Sequence, residues 1–167
     1  MRITLYFTVT LVLLLTGCYS GKHKKYSRAS VYVVAHHDDW QLFMGRDFYN
    51  DAADTNQKVV LILTTSGCSK QNDYCIAREA GVLASIKYAT CQQNPLEIDS
   101  GYIELKNFRI PYFRTNNVVA LLLRLPDGNT KGEGFAEFGN VSLVKLQKGK
   151  VKDISSTDSL NRFKNWI

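Results

Sequence analysis

The chain has 167 residues, of which 45% are apolar, 11% aromatic and 22% charged. That composition excludes a disordered or fibrous protein, and the length suits one domain. Lys and Arg outnumber Asp and Glu by 21 to 15, a formal charge of +6, and the three histidines, His23, His36 and His37, all fall in the first quarter, which limits any metal chemistry.

The N-terminus reads as lying outside the fold. Met1 and Arg2 precede an apolar run of thirteen residues, Ile3 to Leu15. That run is too short to cross a bilayer as a mature helix and suits the apolar stretch of a signal peptide. It ends in Leu15-Thr16-Gly17-Cys18, which resembles the bacterial lipobox; the alternative is an ordinary secretory signal with an incidental cysteine. The resemblance implies a signal peptide over 1–17, cleavage before Cys18 and acylation of that cysteine. Tyr19, rather than an aspartate, follows it. The implied location is the bacterial cell envelope, lipid-anchored, on the outer membrane facing the periplasm in a Gram-negative host. Residues 18–29 carry Lys22, Lys24, Lys25 and Arg28 without apolar periodicity, and read as a solvated basic tether. Such a tether adds electrostatic adhesion to anionic lipid. Nucleic acid is not an expected partner, because the basic residues are local and the chain is exported.

The domain is expected over 30–167. Val31 to Ala35 is a short apolar run and reads as a buried strand. Trp40, Phe43, Met44 and Phe48 then recur at helical spacing within Asp39 to Asn50. Lys58 to Thr64 predicts a second buried strand, and Thr65 to Asn72 a polar loop. Asp73 caps a predicted helix reaching Thr90, with Ile76, Ala80, Leu83 and Ile86 facing inward. Val118 to Leu123 is a third buried run, entering the turn signal Pro126-Asp127-Gly128 and a Gly-rich loop to Gly139. Ser142 to Lys148 reads as a short helix stopped by Gly149. Alternation of strand and helix predicts an α/β fold, three-layer and Rossmann-like, with a mostly parallel sheet and flanking helices.

Cys68 and Cys75 suit a loop-closing disulfide outside the cytoplasm, leaving Cys91 over. A thiol metal site is the competing reading, weakened by the absence of any CxxC pair.

The chemistry concentrates at Ala35-His36-His37-Asp38-Asp39-Trp40, where the first strand passes into the first helix. Ligands of open α/β sheets bind at the carboxyl ends of strands. Imidazole and carboxylate together suit Zn²⁺ or a similar divalent ion. The competing reading is a polar helix N-terminus with Asp38 or Asp39 as its cap.

VVAHHDDW resembles the AHPDDE signature of the LmbE/PIG-L family, zinc-dependent de-N-acetylases of N-acetylglucosamine conjugates. Val59 to Gly67 (VVLILTTSG) and Ala77-Arg78-Glu79-Ala80 resemble that family's second strand with its exit and its second helix; LRLPDG is a looser match. The resemblance implies that His36 and Asp39 bind the metal, that Asp38 is the general base and that Arg78 contacts an N-acetylated amino-sugar substrate. His37 replaces the family's proline and is expected on a solvent-facing loop; Trp40 replaces its glutamate and is expected to pack. The implied reaction is metal-assisted amide hydrolysis.

The family's third metal ligand is a downstream histidine, and no histidine follows His37. Asp127, Glu133 and Asp158 are the carboxylates open to substitute for it. Ser156, Thr157 and Asp158 look like caps for a terminal amphipathic helix bearing Leu160, Phe163 and Ile167. Together these features predict the N-terminal portion of a longer deacetylase, incomplete at its C-terminus. The alternative is a non-catalytic sugar- or partner-binding lipoprotein with a degraded metal site. A helical His-Asp phosphohydrolase ranks last, because a β-rich run precedes the motif.

Overall fold

The computed structural model describes residues 24–70, 73–91, 93 and 96–164. Cys18, His23, the signal-peptide region and Ile167 therefore lie outside the described residues. The described elements follow as β1 (Arg28–Val34), α1 (Asp39–Ala53), β2 (Gln57–Thr65), α2 (Asp73–Thr90), β3 (Ile98–Leu105), β4 (Phe108–Thr115), β5 (Val118–Leu125), α3 (Leu143–Gln147), β6 (Asp153–Ser155) and β7 (Arg162–Lys164).

Strands β1, β2, β5, β4 and β3 form one sheet in that order. The β1–β2 and β2–β5 pairs are parallel, while β5–β4 and β4–β3 are antiparallel. The register aligns Tyr32, Leu61 and Ala120, and aligns Val34, Leu63 and Leu122. These side chains share one face and form the main core with Trp40, Phe48 and Ala52 of α1 and Val82, Ile86 and Ala89 of α2.

The expected three-layer, mostly parallel Rossmann-like architecture is not what forms. The sheet is mixed, and both long helices contribute to the same core on one face. Two physical reasons account for this. The strands β1, β2 and β5 advance across the sheet in one direction, so right-handed crossovers place every helix on the same side. A doubly wound sheet covers its second face by reversing that direction. The other reason is the segment after α2, where IDSGYIEL and FRIPYFRT pair as an antiparallel hairpin. Polar residues are interspersed through both strands, and neither carries the unbroken apolar run of a strand buried on both faces.

The helical faces also differ in detail from the expected stripes. Phe43 and Ile76, both expected inward, are exposed, and Ala52 and Val82 are buried in their place. The expected terminal helix is instead the small hairpin β6–β7. Asp158 does not cap a helix: its Oδ1 meets Ser156 Oγ and accepts the Leu160 amide, and Ser159 turns the chain at φ 61°. Phe163 then stacks on Phe108 at 4.9 Å between ring centroids. With Leu125, Leu146 and Ile154 the hairpin builds a second, smaller core. The short helix α3 forms as expected, its Ser142 Oγ accepting the Lys145 amide.

Candidate functional site

Hydrogen bonds register the ends of the three parallel strands against one another. Thr64 Oγ1 donates to the Val34 carbonyl at 3.1 Å, and Thr65 donates to the Ala35 carbonyl through both its amide and its hydroxyl. The Ser66 amide donates to the Leu125 carbonyl at 2.9 Å. The chain therefore leaves β1 at His36 and leaves β5 at Pro126 in adjacent places.

His36 and Asp127, 91 residues apart, meet there, with Nε2 and Oδ2 separated by 2.8 Å. Asp127 is oriented by its own turn, its Oδ1 accepting the Asn129 amide at 2.7 Å. Asp39 closes the turn out of β1, its Oδ2 accepting the His36 amide at 2.8 Å and lying 3.7 Å from His36 Nδ1. Asp38 occupies the N-cap position of α1 yet makes no capping hydrogen bond through its side chain. Its Oδ1 instead accepts from Arg78 Nη2 of α2 at 2.7 Å. The simple capping reading thus fails for Asp38, whose carboxylate is directed across to another helix and is more than half exposed.

Arg78 is not a solvated helix arginine. Only 18% of its side chain is exposed, its Nη1 donates to Tyr74 Oη, and its Nε is buried without a partner among the described residues. Gly67 makes this placement possible. It lies at φ +62°, and a Cβ there would sit 3.0 Å from Arg78 Nε, so a larger residue would push the guanidinium aside. The Cys68–Cys75 disulfide ties the loop carrying Gly67 to the first turn of α2, as the cysteine spacing suggested.

His37 corrects the expectation of a solvent-facing residue: it is 4% exposed, and its Nδ1 has no partner among the described residues. Burial, with the nearby Arg78 charge, lowers its pKa from 6.5 to about 4, so the ring is neutral at pH 7. Trp40 packs as expected, 4.1 Å from Phe48 between ring centroids. The groove between α1 and α2, about 370 Å³, is lined by Trp40, Phe48, Tyr49 and Tyr88 and by none of the ionisable residues of the His-Asp motif.

Arg124 is a part of this region that sequence reasoning missed. It lies at φ 52°, donates from Nε and Nη2 to both carboxylate oxygens of Glu79, and donates from Nη1 to Asp158. Burial opposes its charge, but the two carboxylates outweigh that and raise its pKa above the usual range. The side chain binds β5, α2 and the C-terminal turn together, one residue from Leu125 and three from Asp127. The proximity of Arg124 to the Pro-Asp-Gly turn was its only sequence signal. Of the three carboxylates open as further ligands, Asp158 is engaged by Arg124, Glu133 pairs with Lys145, and only Asp127 reaches His36.

The imidazole and carboxylates of His36, Asp39 and Asp127 have the donor chemistry of zinc sites. Their arrangement does not fit such an ion. Asp39 faces Nδ1 of the ring and Asp127 faces Nε2, so the two carboxylates do not gather at one ring nitrogen, where a shared ion would sit. Among the described residues, no three His, Cys, Asp or Glu are grouped to hold a metal. No family model, curated protein or solved structure matches the chain.

Proposed function

We propose that the chain is a de-N-acetylase-like hydrolase domain of the LmbE/PIG-L kind, taking an N-acetylglucosamine-type amide at the ends of β1, β2 and β5. The supporting observation is the convergence of His36, Asp38, Asp39, Arg78 and Asp127 on that one edge from three separate segments. Buried or half-buried ionisable groups are costly to assemble unless they serve a ligand.

Each residue has a role in this reading. Asp38 is the base that takes a proton from the attacking water, and its exposure leaves it reachable by solvent. Arg78 orients that carboxylate and, with its guanidinium fork, holds a polar group of the sugar. His36 and Asp39 are the donors that the resemblance assigns to zinc, and as they are placed here they do not fit the ion. A bound ion would supply an acidified water and polarise the acetamide carbonyl. The third donor such an ion needs is not supplied by the described residues as they stand, so no step is assigned to it.

That shortfall favours a second reading, in which the site binds an N-acetylated sugar without hydrolysing it. The engagement of His36 Nε2 by Asp127 favours it. Acetate release from N-acetylglucosamine amides at saturating zinc separates the two. Turnover abolished by Asp38→Ala, with zinc still bound, supports hydrolysis. Sugar binding without turnover supports the second reading, and neither binding nor turnover refutes both.

A further inference from the structure

Among the described residues, the sheet face opposite α1 and α2 is covered at only one end. The C-terminal core packs on Leu123 and Leu125, at the end of β5. Further along, Val31 aligns with Val60 and Val119, and Val33 with Ile62 and Leu121, all alternating with core residues and so all on the far face. Val31 and Val33 are 59% and 60% exposed. A contiguous apolar face of this kind marks an interaction surface rather than scattered exposure.

Charge and chain path say what meets it. Lys58 belongs to the same face by alternation, and Arg114 is aligned with Val119. The two cations are near enough that Arg114 adds to the burial that lowers the Lys58 pKa. Asp99 pairs with Arg114 at this margin. The Tyr26 ring lies 5.3 Å from Lys58 Nζ and 5.6 Å from Lys24 Nζ. The chain therefore reaches β1 across this face, bringing Lys24 to its margin. Cys18 stands eight residues before Tyr26, a reach of at most about 28 Å. An acyl chain there would hold this face, rather than the helical one, towards the bilayer.

We propose that the far face of the sheet, Val31, Val33, Val60 and Ile62 with the Lys24 and Lys58 margin, is the surface on which the domain rests against an anionic lipid bilayer. The apolar side chains enter the interfacial region, and the cations meet the negative headgroups. This inference extends the lipid-anchor reading of Cys18 and is independent of the hydrolase reading.

The test uses the full chain with Cys18→Ser, which removes the acylation site, and Cys91→Ser. Vesicles of phosphatidylglycerol and phosphatidylcholine should sediment this protein at least about fivefold better than phosphatidylcholine alone, falling as salt rises. Val31→Asp with Val33→Asp should reduce that binding about tenfold. Both positions are exposed, so the fold should survive. A Val33→Cys variant carrying an environment-sensitive dye should shift to the blue on the anionic vesicles, and a Tyr88→Cys variant labelled on the helical face should not. Unchanged sedimentation of the aspartate variant, or equal shifts at both labels, would overturn the proposal. So would a stable dimer in sedimentation velocity that the two aspartates dissociate, since the face would then be an interface between copies. Acylation of Cys18 is read separately, from the mass of the N-terminal peptide of membrane-extracted protein.

Discussion

The parallel and antiparallel halves of the sheet use the same backbone pairing for different ends. Strands β1, β2 and β5 carry nearly unbroken apolar runs, and their residues facing the helices, Leu61 and Ala120 among them, are buried. The hairpin β3–β4 mixes polar with apolar residues and stays wet, with Tyr102 and Ile98 half exposed and Asp99 engaged by Tyr112 and Arg114. The ionisable cluster grows only from the first half. A parallel arrangement brings the carboxyl ends of several strands to one edge, so His36 and Asp127 can meet. The hairpin ends its strands at opposite edges and gathers no such group.

The largest effect that sharpens this contrast is core truncation. Leu61→Ala should cost about 3 kcal/mol in urea unfolding, against under about 1 kcal/mol for Tyr102→Ala in the hairpin. Similar losses at both positions would break the comparison.

Acid comes next. The folded-state pKa of His37 lies below its unfolded value of 6.5, so the unfolded chain takes up the proton first as pH falls. The associated stability is complete above pH 6.5 and is lost down to about pH 4, up to about 3 kcal/mol in all. His37→Gln should flatten that part of the pH profile in urea titrations. A profile unchanged by the substitution would remove His37 from the account.

The disulfide should contribute slightly less. Closing the short loop between Cys68 and Cys75 is worth about 2.5 kcal/mol on the chain-entropy view, so replacing both by Ser should lower the urea midpoint accordingly. The smallest effect belongs to the hairpin surface, where Arg114→Ala, at a half-exposed ion pair, should change stability by no more than about 0.5 kcal/mol.

The legible parts of the molecule were those where one local pattern decides. The apolar runs of β1, β2 and β5, the Asp73 to Thr90 helix and the cysteine pair all formed near where the residues placed them. The hairpin β3–β4 escaped because its alternation is interrupted by Gly101 and Pro111. The terminal hairpin carries the local signals of a helix because Ser156 and Asp158 have the chemistry of caps and of tight turns alike. The layer count failed for a different reason: it depends on the direction in which strands are added, which no local pattern carries. In the site, the His-Asp motif was visible from its position after a strand. The contributions of Asp127 and Arg124 depend on which strand lies beside which, since it is the placement of β5 next to β2 that brings them to this edge.

The central claim is that this edge of the sheet handles an N-acetylated amino sugar through Asp38 and Arg78. The most direct measurement is titration of the full chain with an N-acetylglucosamine conjugate, followed by amide chemical shifts of residues 35–40 and 126–129 and by acetate released in the presence of zinc. The account predicts saturable shifts in both segments, weakened about tenfold by Arg78→Ala through loss of a charge-assisted hydrogen bond. Shifts confined to other parts of the molecule, or no response to the conjugate and no acetate, would contradict it.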